Sequence, residues 1–310
     1  MHIRTNKQLN VLFRPVIFAA EWLGIHNPKL LMRMRYYARF HKKLNLTNPQ
    51  TLNEKILFLS LRTDTSLWTT CSDKYLVRRY VEQCGLKSSL VKLYGAWENV
   101  SDLDFEKLPD KFVLKGNHGC GDIMLVRDKS SICKDDIIKT YQRDLKKKYG
   151  ALEAGAHYLR IKPMLIAEEL LENDAETALY SSSLIDYKIW CFNGKPYFIW
   201  VCKNRSGHHK ETMLYDTEWN PHPEYLIHDK GYVQGTPLPK PNNLQEMMNV
   251  AKTLSAPFPE VRVDLYNLKG KVYFGELTFT GYGGLMNHYT EEFQKLAGSL
   301  IDISKVQVIR

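Results

Sequence analysis

The sequence predicts an α+β protein in which antiparallel hairpins alternate with helices. Three observations carry that expectation. SLIDYKIWCFNGKPYFIWVCKNR is a pair of apolar strands joined at Asn193-Gly194, the residue pair that a two-residue hairpin turn favours. VRVDLYNLKGKVYFGELTF repeats that design around Lys269-Gly270. KFVLKGNHGCGDIMLVRD is two strands about a glycine-bearing turn. Hairpins interleaved with helices argue against a doubly wound parallel sheet.

The elements divide into four stretches. Residues 1–46 are rich in Lys and Arg on an apolar background, and LLMRMRYYARFHKKLNL mixes the two at roughly helical spacing. Such a helix either packs on the body with a solvated basic face or lies on an anionic membrane or polymer. Residues 47–110 read as a small α/β unit. TLNEKILFLSL opens with Thr51 three residues before Glu54, a capping-box pattern. SDKYLVRRYVEQCG reads as a helix from Ser72 that stops at Gly85, and LVKLYGAWENV as a short strand and turn. Residues 111–172 hold the glycine-bearing hairpin, a charged helix (KDDIIKTYQRDLKKKYG) and a buried strand (PMLIAEELL). Residues 173–310 hold the other two hairpins, a loop-rich region from 204 to 241, and a helix at NNLQEMMNVAKTLS.

The bulk numbers exclude several classes. With 310 residues, 44% hydrophobic and 25% charged, the chain is globular rather than disordered or fibrous, and long enough for two lobes. A net charge of +9 suits anionic ligands such as nucleotides, acidic sugars or headgroups. The six cysteines form no CxxC pair, which argues against a zinc knuckle and for reduced thiols in a cytosolic protein. The apolar run from Val11 to Ile25 is broken by Arg14, Pro15 and Glu21, so neither a signal peptide nor a membrane span is expected.

The chemistry starts at Lys115. FVLK runs into GNHGCG, where glycines let backbone N–H groups approach phosphate oxygens and the lysine adds a charge. The loop is neither a Walker loop nor GxGxxG, and alone it reads equally as a plain hairpin turn. Asp264 and Glu276 lie on the two strands of the last hairpin with the turn roughly midway between them. That pairing brings two carboxylates together, an arrangement that is costly without a cation and that suits Mg²⁺. Two acids on a solvated ribbon give the same pattern. Asp186 and Lys188 share one strand face, as an ion pair or as contacts for ribose and phosphate. Glu168, Glu169, Leu170 and Leu171 end a buried strand where backbone groups can meet a purine. His118 reads as a solvent-facing histidine of the glycine loop, and His208 and His209 as part of a mobile loop with Lys210.

In this order, the lysine strand with its glycine loop, the hinge glutamates, the D-x-K strand and the R-x-D and E-x-T strands resemble the ATP-grasp superfamily. LNEKI, SDKYLVRRYV, FVLKGNHGCGD, DYKIWCFNGKP and RVDLY…FGELTFTGYGG resemble, more narrowly, the TupA-like ATP-grasp family of bacterial surface-polysaccharide clusters. The resemblance covers about residues 40–300. It implies two antiparallel-sheet α+β lobes clasping ATP, with an N-terminal extension. It implies Lys115 on the α- and β-phosphates, and Gly116, Gly119 and Gly121 as a flap over the triphosphate. Glu168 would meet the adenine amino group, with Glu169 and Leu170 offering backbone contacts. Asp186 would hold ribose and Lys188 the γ-phosphate. Asp264 and Glu276 would bind Mg²⁺ with Thr278, which stands where the family usually carries Asn. Arg262, and with it Arg205, would steady the transferring phosphoryl group.

The activity implied is an ADP-forming carboxylate–amine ligase. It would join an amino acid or amine to a uronic acid or peptide unit of a surface glycan. The acceptor would lie at Thr280, Tyr282, Gly283, Gly284 and Asn287, in a flexible TGYGG loop. The basic N-terminus would recruit an anionic polymer, a lipid-linked glycan or the inner membrane face of a cytoplasmic enzyme, and no nucleic-acid partner is expected. Three rival readings use other chemistry. A sugar kinase would use the same residues. A non-catalytic binder of acidic polymer would use the basic face. A glycosyltransferase needs a DxD motif, and the nearest acids, Asp102 and Asp104, lie in a loop.

Overall fold

The computed structural model describes residues 7–309, with side chains from residue 14 onward. Helix α1 (Lys7–His26) and helix α2 (Pro28–Phe40) are separated by Asn27, whose side chain accepts the Leu30 N–H. Helix α3 (Leu52–Arg62) starts on the expected capping box. Thr51 Oγ1 accepts the Glu54 N–H at 3.3 Å, and the Glu54 carboxylate accepts the Thr51 N–H at 3.1 Å. The helix expected from Ser72 begins only at Val77, as α5 (Val77–Gln83), and a separate helix α4 (Ser66–Ser72) ends where it was expected to start. Asp73 causes the break, because its carboxylate accepts the N–H groups of Tyr75 and Leu76 and turns the chain.

The first sheet has the order β1-β4-β2-β3, with every neighbour antiparallel. It contains β1 (Leu93–Trp97), β2 (Phe112–Gly116), β3 (Ile123–Val126) and β4 (Leu165–Glu168). Strand β1, from the 47–110 stretch, thus lies in the same sheet as the glycine loop. Helix α6 (Lys134–Asp144) packs Ile137 and Tyr141 into this sheet's own core with Phe112 and Leu114. The Tyr141 hydroxyl donates to the Leu114 carbonyl at 2.8 Å, which satisfies a buried polar group. The short helix α7 (Ala156–Leu159) precedes β4, and α8 (Ala175–Ala178) follows it.

The second sheet has the order β10-β9-β5-β6-β7-β8. Its strands are β5 (Asp186–Phe192), β6 (Lys195–Ser206), β7 (His209–Asp216), β8 (Tyr232–Gln234), β9 (Glu260–Leu268) and β10 (Lys271–Thr278). Helix α9 (Leu244–Ser255) joins β8 to β9, and α10 (Glu291–Ser299) closes the chain. Both two-residue turns form as expected. Asn193 and Gly194 have φ of 49° and 73°, and Lys269 and Gly270 have 53° and 71°, the left-handed pair such turns require.

Two expectations are corrected here. The region from 204 to 241 contains β7 and β8, because Met213, Leu214 and Tyr215 are buried in the core and draw the chain back beside β6. Strand β8 then pairs parallel to β7, so the second sheet is mixed rather than purely antiparallel. Leu31, Leu52 and Trp68 from the N-terminal helices share one core with this sheet and with α9 and α10. Among the described residues, no helix is long and apolar enough to cross a membrane.

Candidate functional site

One face of the second sheet carries a row of charge. Lys188 on β5 pairs in register with Asp264 on β9, and Asp264 with Glu276 on β10. Arg262 pairs with Thr278 in the same way. Register partners project to one side of a sheet, so these side chains converge. A bulge between Phe274 and Glu276 makes this possible, since without the extra residue Gly275 would face Asp264. A Cβ on Gly275 would lie 2.9 Å from the Asp264 carbonyl oxygen, which explains the glycine.

Asp264 is the hub. It is 3% exposed and accepts Arg262 Nε at 2.7 Å, Arg262 Nη2 at 2.8 Å and Lys188 Nζ at 2.5 Å. Burial opposes its ionisation, but Arg262 and Lys188 outweigh it and hold the carboxyl below its usual range. Burial likewise opposes the charge on Lys188, and Asp186 and Asp264 overcome it. Arg262 lies over the rings of Trp190 and Trp200, at 5.7 and 5.9 Å from their centroids. Its Nη2 also reaches Thr278 Oγ1 at 3.1 Å and Glu276 at 3.7 Å. Thr278 donates to Glu276 Oε1 at 3.0 Å. Asp186 is buried, ion-paired to Arg205 and 3.9 Å from Lys188 Nζ.

The donor set suits Mg²⁺, with two carboxylates in register and a hydroxyl beside them, all hard oxygens. Glu276 keeps 42% of its side chain exposed, so it remains open to a further ligand. Among the described residues no cluster of three or more His, Cys, Asp and Glu would hold a metal.

The first sheet supplies Lys115, whose Nζ lies 2.5 Å from Glu168 Oε2. Glu168 Oε1 meets Arg78 at 3.2 Å. Both oxygens are thus held by cations, unlike the adenine contact that the resemblance implies. Glu169 is exposed, and its N–H donates to the Lys92 carbonyl at 2.9 Å. Leu170 follows it, half-buried.

The loop after Gly116 is tied down. Lys74 Nζ donates to the Gly119 carbonyl, and a Cβ on Gly119 would lie 3.1 Å from the Tyr149 ring. Gly121 turns at φ 86°. His118 is 3% exposed rather than solvent-facing, and burial pushes its pKa down.

The TGYGG segment is a packed turn rather than a flexible loop. Gly283 and Gly284 are buried at φ of 66° and 72°, and a Cβ on either would come within 2.8 Å of Glu153 or Leu57. Thr280 is buried 3.4 Å from His157 Nε2. Tyr282 and Asn287 remain exposed. His209 opens β7 instead of lying in a mobile loop, and His208 sits in the turn before it.

Sequence reasoning missed four cations or aromatics at this site. Lys74 bonds the glycine loop, and Arg78 holds Glu168. Lys210 lies 4.3 Å over the Tyr232 ring and 3.4 Å from the Tyr282 hydroxyl, and burial lowers its pKa. Tyr232 contacts Tyr282 hydroxyl to hydroxyl. The available signal was SDKYLVRR, whose Lys74 and Arg78 stand one helical turn apart.

A protein-family model described as TupA-like ATP-grasp matches residues 54–302. Similar solved structures include the following three. D-alanine–D-alanine ligase from Bacillus anthracis aligns at 14% identity and TM-score 0.47, over 77% of this chain and 66% of that one. The same enzyme from Coxiella burnetii aligns at 10% and 0.45, over 82% and 64%. L-amino acid ligase from Bacillus licheniformis aligns at 14% and 0.43, over 81% and 52%. This chain therefore spans between 52% and 66% of the length of those proteins. No curated protein matches it.

Proposed function

Because the chain belongs to the TupA-like ATP-grasp family, we propose that it is an ATP-dependent carboxylate–amine ligase with its triphosphate site between the two sheets. The observation that carries this reading is the convergence at Lys74. Its ammonium is bonded to the Gly119 carbonyl of the glycine loop, and Glu276 of the second sheet and Lys115 and Glu168 of the first are among the charges that act on it. Burial lowers its pKa first, and Glu276 partly restores it. On this reading the glycine loop and the acidic row close on the same triphosphate.

The roles are assigned as the family resemblance implies them. Lys115 leaves Glu168 for the α- and β-phosphates, and Lys188 and Arg262 neutralise charge on the transferring phosphoryl group. Gly116, Gly119 and Gly121 cover the phosphates, and Glu169 and Leu170 present backbone to adenine. Asp186, fixed by Arg205, meets ribose. Mg²⁺ held by Asp264 and Glu276, beside Thr278, would neutralise phosphate oxygens. An acceptor carboxylate oxygen bonds to the γ-phosphorus as its bond to ADP breaks, which gives an acyl phosphate. A donor amine then bonds to the acyl carbon, loses a proton to solvent, and phosphate leaves.

For the acceptor we propose a uronic acid or peptide unit of a surface polysaccharide, on the strength of the family. Tyr282 and Asn287 offer it exposed side chains, with Lys210 beside Tyr282 as a countercharge. The experiment is a product assay with ATP, Mg²⁺, amino acids and uronic acids or short peptides. ADP together with a new amide supports the ligase. A phosphorylated hydroxyl supports a kinase instead, and no ATP turnover with any pair rejects both.

A further inference from the structure

The two N-terminal helices place apolar residues on the face turned away from the protein. On α1, Ala20 and Leu23 pack on the core, and Gly24 leaves room for the Ala151 carbonyl. At 100° per residue the opposite face carries Phe18, Trp22 and Ile25, spaced i, i+4, i+7. They are 70%, 52% and 39% exposed. On α2, Leu31, Met32 and Tyr36 are buried, and Arg35 bonds the Leu152 carbonyl. Its opposite face carries Leu30, Met34 and Tyr37 at the same spacing, 42%, 55% and 58% exposed. An ordinary surface helix carries polar groups there. Six large apolar side chains in two parallel patterns mark an interaction surface.

The charge around these stripes selects the occupant. Residues 1–46 hold nine Lys and Arg against one acid, Glu21, so they carry +8 of the chain's +9. Arg14 lies one turn before Phe18, Arg33 lies between Leu30 and Met34, and Arg39, Lys42 and Lys43 follow Tyr37, all exposed. A second copy of this chain would bring like charge against like charge. An anionic bilayer supplies both an apolar layer for the stripes and negative headgroups for the cations.

We propose that α1 and α2 lie flat on an anionic phospholipid surface, with Phe18, Trp22, Ile25, Leu30, Met34 and Tyr37 inserted to the headgroup–acyl boundary. Neither helix spans the bilayer. The site between the sheets then works on substrate delivered at that surface. This inference stands apart from the ligase reading, because membrane binding is measured without ATP.

The test is co-sedimentation of the full chain with vesicles of phosphatidylcholine, with and without phosphatidylglycerol. The full chain pellets with the anionic vesicles and stays in solution with the neutral ones, and added salt weakens the binding. Phe18→Ser with Trp22→Ser, and separately Arg33→Glu with Arg39→Glu, each weaken anionic-vesicle binding by about tenfold or more. Unchanged thermal melting shows that these variants are folded. Absence from both pellets overturns the proposal, as does equal binding to both vesicles. A dimer in solution that the Phe18→Ser and Trp22→Ser pair abolishes also overturns it, by assigning the face to a second copy.

Discussion

Arg262 and Asp264, two residues apart on one strand, close on each other through two hydrogen bonds, Nε to Oδ1 at 2.7 Å and Nη2 to Oδ2 at 2.8 Å. Residues at i and i+2 share a strand face, so the pair needs no other element to form it. Lys188 from β5 adds a third donor to the same carboxylate. Two cations thus make their shortest contacts with one buried anion.

Replacing that anion removes the shortest ion pair of each cation, leaving Lys188 with Asp186 at 3.9 Å and Arg262 with Glu276 at 3.7 Å. Asp264→Asn is expected to destabilise the fold by about 3 kcal/mol, because uncompensated buried charge costs more than the pair itself contributes. Urea unfolding measures it. A midpoint unchanged from the parent chain shows that the hub is not structural.

Gly275→Ala probes the bulge. The added Cβ meets the Asp264 carbonyl oxygen at 2.9 Å, against backbone that cannot swing aside. A loss of about 1–3 kcal/mol is expected from overpacking. ATP turnover should fall further than stability accounts for, since Glu276 shifts relative to Asp264. Turnover at the parent level would separate the bulge from the site.

Glu260 begins β9 on the same face as Arg262. It is fully buried, and neither carboxylate oxygen has a hydrogen-bond partner among the described residues. Burial raises its pKa well above the usual carboxylate value, and Arg262 only partly offsets this. The unfolded chain ionises Glu260 above its ordinary pKa while the folded chain keeps the proton. The contribution is therefore full below that ordinary pKa and is lost as pH rises towards the folded value. Glu260→Gln removes that loss, at about 1.4 kcal/mol for each pH unit of the interval. Its stability relative to the parent should rise with pH from 4.5, the ordinary carboxylate value, upward. A difference that stays flat with pH contradicts the buried neutral acid.

Much of this was legible in the sequence because it is local. The Asn193-Gly194 and Lys269-Gly270 turns, the Thr51–Glu54 box and the alternation that sets Arg262 beside Asp264 all span a few residues. Strand β7 was not legible. Its polar start, HKET, conceals burial that only β6 on one side supplies. The break at Asp73 was missed because a side chain two residues away competes with the helix. Arg78 on Glu168, Lys74 on Gly119 and Lys210 on Tyr282 join residues 45 to 90 positions apart. No periodicity encodes such contacts. Thr278 stands where a third metal ligand was expected, and the fold shows its hydroxyl held between Arg262 and Glu276.

The central claim is a magnesium-dependent nucleotide site between Lys115 and Glu276. Calorimetric titration of a non-hydrolysable ATP analogue tests it most directly, with and without Mg²⁺, in the parent chain and in Lys115→Ala and Glu276→Gln. The account predicts binding that needs Mg²⁺ in the parent chain. Either substitution should weaken it at least tenfold, or about 1.4 kcal/mol. Equal affinity in all three chains, or binding indifferent to Mg²⁺, would contradict it.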